Sequence, residues 1–223
     1  MTKKLFTEAI LKFTLGVLCV GLLIFAPAGT LRFWNGWLLM GLLFIPMFFA
    51  GLVLMARNPE LLQKRLQAKE TRKTQDTVVK LSGLMFIAGF LVAGFDHRFG
   101  RAHLPAGISI GAAAVFLLAY LLYAEVLREN TYLSRTIEVQ EHQTVIDTGL
   151  YGIVRHPMYS ATLLLFLAMP LVLGSLFSFL IFLVYPFLIA ARIRNEEQLL
   201  EQELEGYRAY QQKVRCKLIP FVW

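Results

Sequence analysis

A run of 35 residues, Pro157 to Ala191, carries no charged side chain. At about 1.5 Å per residue it would make a straight helix of roughly 50 Å, whereas the hydrocarbon core of a bilayer is about 30 Å thick. The run must therefore fold back on itself. Pro170, Gly174 and Ser175 lie near its middle, so a helical hairpin of two short or tilted limbs is expected, turning around Leu173 to Phe177.

Four further segments can cross a membrane: about Ile10 to Phe25, Phe33 to Ala56, Val78 to Phe95 and Leu104 to Ala124. Lys12 can snorkel along its stem, and Trp34 and Trp37 suit the interface. A hydrophobic content of 57% and a mean hydropathy of +0.59 exceed what a soluble core needs. The expected fold is an all-α integral membrane protein with four transmembrane helices plus a C-terminal helical hairpin. Lys3, Lys4, the apolar run after Ile10 and Ala26-Pro27-Ala28 also have the form of a signal peptide. The polytopic pattern that follows favours a retained first helix.

The net charge of +7 admits nucleic acid or an anionic membrane as a partner, and the position of the basic residues chooses the membrane. Six crossings put both termini on one side. Of the 22 Lys and Arg, 19 then fall on that side and only Arg32, Arg98 and Arg101 on the other. Positive-inside bias makes the first side cytoplasmic. Within the linker 57–80, Asn58-Pro59 can open a helix with Leu61, Leu62 and Leu66 on one face and Lys64 and Lys69 opposite. That pattern predicts an amphipathic helix on the cytoplasmic leaflet. Asp96, His97 and His103 are expected solvated in an external loop, and Cys19 and Cys216 have no metal-ligand spacing. No metal site is expected.

Two polar segments on the cytoplasmic side differ from ordinary loops. In the first, Val139 to Tyr159, alternation over Thr144 to Asp147 and the pair Thr148-Gly149 predict an extended piece and a turn whose backbone groups can grip a polar cofactor. His156 here also fits a plain interfacial histidine before a helix-starting proline. In the second, Arg192 and Glu196 stand four apart on one helical face at the membrane boundary, and the helix is expected to run on through Leu199, Leu200 and Leu204 to Tyr207 and Tyr210. Charge placed there either pairs internally or binds something.

Gly149-Leu150-Tyr151, Arg155-His156-Pro157-Met158-Tyr159, and Glu196-Glu197 followed by Tyr207, Tyr210, Val214 and Pro220 resemble the isoprenylcysteine carboxyl methyltransferase family, within the wider group that includes phospholipid N-methyltransferases. The resemblance covers about residues 120–223, which makes 120–223 the expected methyltransferase core and 1–119 a set of N-terminal transmembrane helices. It implies S-adenosylmethionine as cofactor, in a cytoplasmic pocket capped by the C-terminal helix. Gln140, Gln143, Thr144, Val145, Ile146, Tyr151, His156, Pro157, Met158, Tyr159 and Glu196 resemble the positions around that cofactor, and Arg192 resembles an arginine assigned to the substrate. The implied acceptor is a lipid-like or prenylated small molecule taken from the bilayer, most simply its carboxylate. An N- or S-methyltransferase is the rival enzyme on the same scaffold. A membrane reductase using NADPH and a non-enzymatic scaffold are rivals of other classes. A bacterial or archaeal plasma membrane is the expected location.

Overall fold

The computed structural model of the protein describes residues 3–66, 73–100, 104–133 and 139–223. In the order of the chain lie α1 (Lys3–Ala28), α2 (Trp34–Arg57), a short α3 (Pro59–Leu66), α4 (Lys73–Phe99) and α5 (Ala106–Glu129). A 3-10 turn (Gly149–Gly152) precedes α6 (Pro157–Val172), α7 (Leu176–Phe182), α8 (Tyr185–Glu203) and α9 (Tyr207–Lys213). No strand occurs among the described residues. Helices alone are what lipid permits, because each backbone N–H and C=O must find its partner inside the segment. α1, α2, α4 and α5 are long and apolar enough to span, as is the stretch Leu176–Glu203, and α6 is a shorter apolar limb. The protein is thus an integral membrane protein with the expected four helices and hairpin.

The hairpin bends where expected. Gly174 has φ 72°, a left-handed conformation, and Ser175 N–H reaches back to the Pro170 carbonyl at 3.1 Å. The bend frees carbonyls that lipid cannot satisfy. Asn35 of α2 donates from Nδ2 to the Val172 carbonyl (2.8 Å) and to Ser109 Oγ (3.0 Å), while Ser109 donates to the Leu171 carbonyl (3.1 Å). Replacing Asn35 with Leu is therefore expected to cost about 1–2 kcal/mol. Thermal unfolding in detergent measures it, and an unchanged midpoint would show that the bend does not depend on this side chain.

The returning limb is not one helix. Leu183 and Val184 interrupt it, because Pro186 in the first turn of α8 lacks the N–H that would continue α7. α5 packs along α6, and α4 lies against both α1 and α7. Close approach there depends on small residues. A Cβ on Gly94 would meet α1 backbone at Ile24, and one on Gly89 would strike the Phe182 ring of α7.

Two expectations need correction. α4 runs on to Phe99, so Asp96 lies inside the bundle, 4% exposed, and His97 stacks on Phe33 with ring centroids 4.0 Å apart. They are packed and not solvated, because the helix is longer than its uncharged stretch. His103 lies outside the described residues, as does Lys69. The helix after Glu196 also stops early. Leu204 is extended and Gly206 has φ 82°, so the chain turns before starting α9. A left-handed residue cannot continue a right-handed helix, and the turn folds α9 back over the bundle end.

α3 forms as the linker pattern predicts. Asn58 caps it by accepting Leu61 N–H at 3.0 Å, and Leu61 and Leu62 are buried. Lys12 of α1 donates to the Leu66 carbonyl at 2.8 Å and fastens the far end of α3.

Candidate functional site

α5 ends, α6 begins and α8 leaves the bundle at the same end, and a cleft opens between them. One wall is the non-helical stretch Gln143, Thr144, Val145 and Ile146. Gln143 is locked by its own turn, since Gln140 N–H donates to its Oε1 at 2.9 Å. Gln140 also donates from Nε2 to the Tyr132 carbonyl at 2.6 Å. It shapes the turn and does not line the cleft.

The 3-10 turn supplies the next wall. Gly149, at φ 51°, passes so close to Glu129 that any Cβ would collide with the carboxylate, which accepts Leu150 N–H at 3.0 Å. Tyr151 is held at both ends: Asn130 Nδ2 donates to its hydroxyl (2.9 Å), and Tyr210 of α9 donates to its carbonyl (2.7 Å). Burial raises the pKa of both phenols, so they stay protonated.

The floor is the first turn of α6 and the facing stretch of α8. His156, Met158 and Tyr159 line it, and Pro157 sits behind them, buried at the start of the helix. Arg192 and Glu196 face the cleft from α8, as their spacing predicts. The Tyr159 hydroxyl lies between them. It accepts from Arg192 Nε at 2.9 Å and donates to Glu196 Oε2 at 2.5 Å. A cation, a phenol and a carboxylate thus form one chain across the floor.

Glu197, one residue on, points the other way into a buried ion cluster. Its Oε1 accepts from Arg155 Nε and Nη2, each at 2.8 Å, and faces His156 Nε2 at 3.3 Å. Its Oε2 takes Lys217 Nζ at 2.6 Å. Arg155 also donates to the Val214 and Arg215 carbonyls, and the N–H groups of Arg155 and His156 donate to the Cys216 and Lys217 carbonyls. The C-terminal tail is therefore strapped to the start of α6, directly behind the cleft.

Ten of the twelve residues picked from the sequence line this cleft, all except Gln140 and Pro157. Sequence reasoning did not pick Asn130, Leu200, Leu204, Tyr207 and Tyr210, which line it as well. Tyr207 is the most telling. The residue is 4% exposed, and its hydroxyl is buried without a hydrogen-bond partner among the described residues. Burial, reinforced by Glu197 and Glu196, raises its pKa and keeps it a donor. An orphaned buried donor in a cleft wall suits a bound polar molecule. With apolar Met158 and Leu200, five tyrosines and the Glu196 carboxylate, the lining fits an aromatic base with hydroxyls or an ammonium attached. No group of metal-ligating side chains occurs among the described residues.

No curated protein matches the chain. Residues 107–205, from the start of α5 to just beyond α8 and a little under half of the chain, match the phospholipid methyltransferase family, so this stretch is similar to phospholipid methyltransferases.

Proposed function

We propose that the protein transfers a methyl group from S-adenosylmethionine to an amphiphilic acceptor drawn from the membrane, most simply to a carboxylate, as in isoprenylcysteine carboxyl O-methylation. The observation that carries the reading is the Arg192–Tyr159–Glu196 chain on the cleft floor, inside the segment that matches the family. When bound, S-adenosylmethionine supplies a methyl on a sulfonium, which is electrophilic without further activation.

The protein then has little acid–base work. A carboxylate acceptor would need no base and a sulfonium donor no acid, so the residues of the cleft would have no proton to move. Arg192 holds the acceptor carboxylate, and its planar fork suits that group. Glu196 anchors hydroxyl or ammonium groups of the cofactor, Tyr159 fixes the spacing between the two charges, and the aromatic walls exclude water. An amine acceptor would need a base. His156 lines the cleft as one candidate, and its Nε2 is turned to Glu197. That arrangement favours the anionic acceptor over an amine.

The cleft side is taken as cytoplasmic, in a bacterial or archaeal plasma membrane, on the asymmetry of basic residues. Methyl transfer from labelled S-adenosylmethionine to an S-prenylated cysteine and to phosphatidylethanolamine tests the reading. The carboxylate acceptor is expected to be labelled and the amine not; the reverse would overturn the choice of acceptor. The orphaned Tyr207 hydroxyl adds a sharper test. Tyr207→Phe is expected to weaken S-adenosylhomocysteine binding about three- to tenfold with no loss of stability. Unchanged affinity would remove Tyr207 from the site.

A further inference from the structure

A second recess lies between α1, α2, α3, α5 and α6, with an almost wholly apolar lining. Among the described residues its only charged lining residues are Lys12 and Arg65, both cationic. Lys12 is already engaged, by Glu8 Oε1 at 2.6 Å and by the Leu66 carbonyl. Arg65, on α3, holds its guanidinium 5.3 Å from the centre of the Tyr123 ring.

Helix geometry joins this groove to the cleft. On α6, Met158 and Tyr159 line the cleft while Thr162, Leu165, Phe166 and Met169 line the groove. Those positions recur at three- and four-residue steps and so form one continuous stripe. α5 carries the matching stripe, with Tyr123 and Leu127 in the groove and Asn130 in the cleft. From Tyr159 to Met169 the stripe rises about 15 Å, half of the roughly 30 Å hydrocarbon core, or the depth of one leaflet. Arg65 stands at the seam. It lines the groove over Tyr123, about two helical turns along the α5 stripe from Asn130 in the cleft.

We infer that the groove receives one apolar chain of an anionic amphiphile and that Arg65 is the residue selecting its anionic head as it passes from the groove into the cleft. This deepens the methyltransferase reading and rests on it for the identity of that amphiphile as the acceptor. α3 is then part of the binding site and not a connector. Arg65 gives specificity for an anion, while Arg192 acts at the reacting group.

The test uses the purified full-length chain in detergent, photolabelled with diazirine-bearing hexadecanoate or hexadecylamine and mapped by peptide mass spectrometry. Hexadecanoate is expected to label peptides of α2 and α5 that line the groove. Arg65→Gln should raise its half-saturating concentration about tenfold, leave hexadecylamine unchanged or tighter, and be rescued to within about threefold by Arg65→Lys. Labelling elsewhere, an Arg65→Gln protein that binds hexadecanoate like wild type, or equal weakening of both probes would overturn the inference. S-adenosylhomocysteine titration of the same preparations separates the two ideas. A wild-type protein that ignores it refutes the methyltransferase reading, and the labelling still decides whether Arg65 selects an anion.

Discussion

Replacing Glu197 with alanine is expected to destabilise the protein by about 3–5 kcal/mol and to release the C-terminal tail, because removing one member of a buried ion cluster leaves the others charged and unpaired. Two cationic side chains, Arg155 and Lys217, converge on this carboxylate together with the imidazole of His156, and its own side chain is 7% exposed. Arg155 is also the residue whose donors grip the tail carbonyls. Thermal unfolding together with limited proteolysis after Lys213 measures both effects. Glu196→Ala supplies the contrast. Its carboxylate faces the cleft, so cofactor affinity should fall while stability and tail protection hold. A Glu197→Ala protein as stable as wild type, with its tail still protected, would show that the cluster does not fasten the tail.

Arg192→Ala is expected to leave cofactor affinity within a few fold and to lower turnover of a carboxylate acceptor by about 2–5 kcal/mol in barrier, roughly thirty-fold to several thousand-fold. The reason is that a desolvated two-point contact to the reacting group is lost. Tyr159 keeps its bond to Glu196 in this variant, so the cofactor side of the floor stays in place. Arg192→Lys should rescue only in part, since a point charge cannot reproduce the planar fork. Two other outcomes are informative. Little change in turnover would point to an amine acceptor, and joint loss of cofactor binding and turnover would assign Arg192 to the cofactor site or to the fold.

What the sequence made legible follows from local rules. An uncharged run too long for one crossing, with glycine near its middle, fixes a hairpin and its bend at Gly174. A four-residue spacing puts Arg192 and Glu196 on one face. Asn58-Pro59 opens α3 as capping chemistry predicts. What escaped depends on partners distant in the chain. Glu197 looks like a neighbour of Glu196, yet its partners come from about 40 residues upstream and from Lys217 in the tail. Nothing local marks Tyr159 as the link between Arg192 and Glu196. The charge of Asp96 hides that it and His97 are packed, since α4 continues past them and stacks His97 on Phe33. The break at Gly206 has a signal, a glycine after an amphipathic run, and the continuing leucine and tyrosine spacing obscured it.

The most direct test of the site is isothermal titration of the purified chain with S-adenosylhomocysteine and, separately, with NADPH. Saturable binding of one S-adenosylhomocysteine per chain, weakened in Glu196→Ala and Tyr207→Phe and unmatched by NADPH, is the predicted result. Binding of NADPH without S-adenosylhomocysteine would make the cleft a reductase site, and binding of neither would contradict a cofactor role for the cleft altogether.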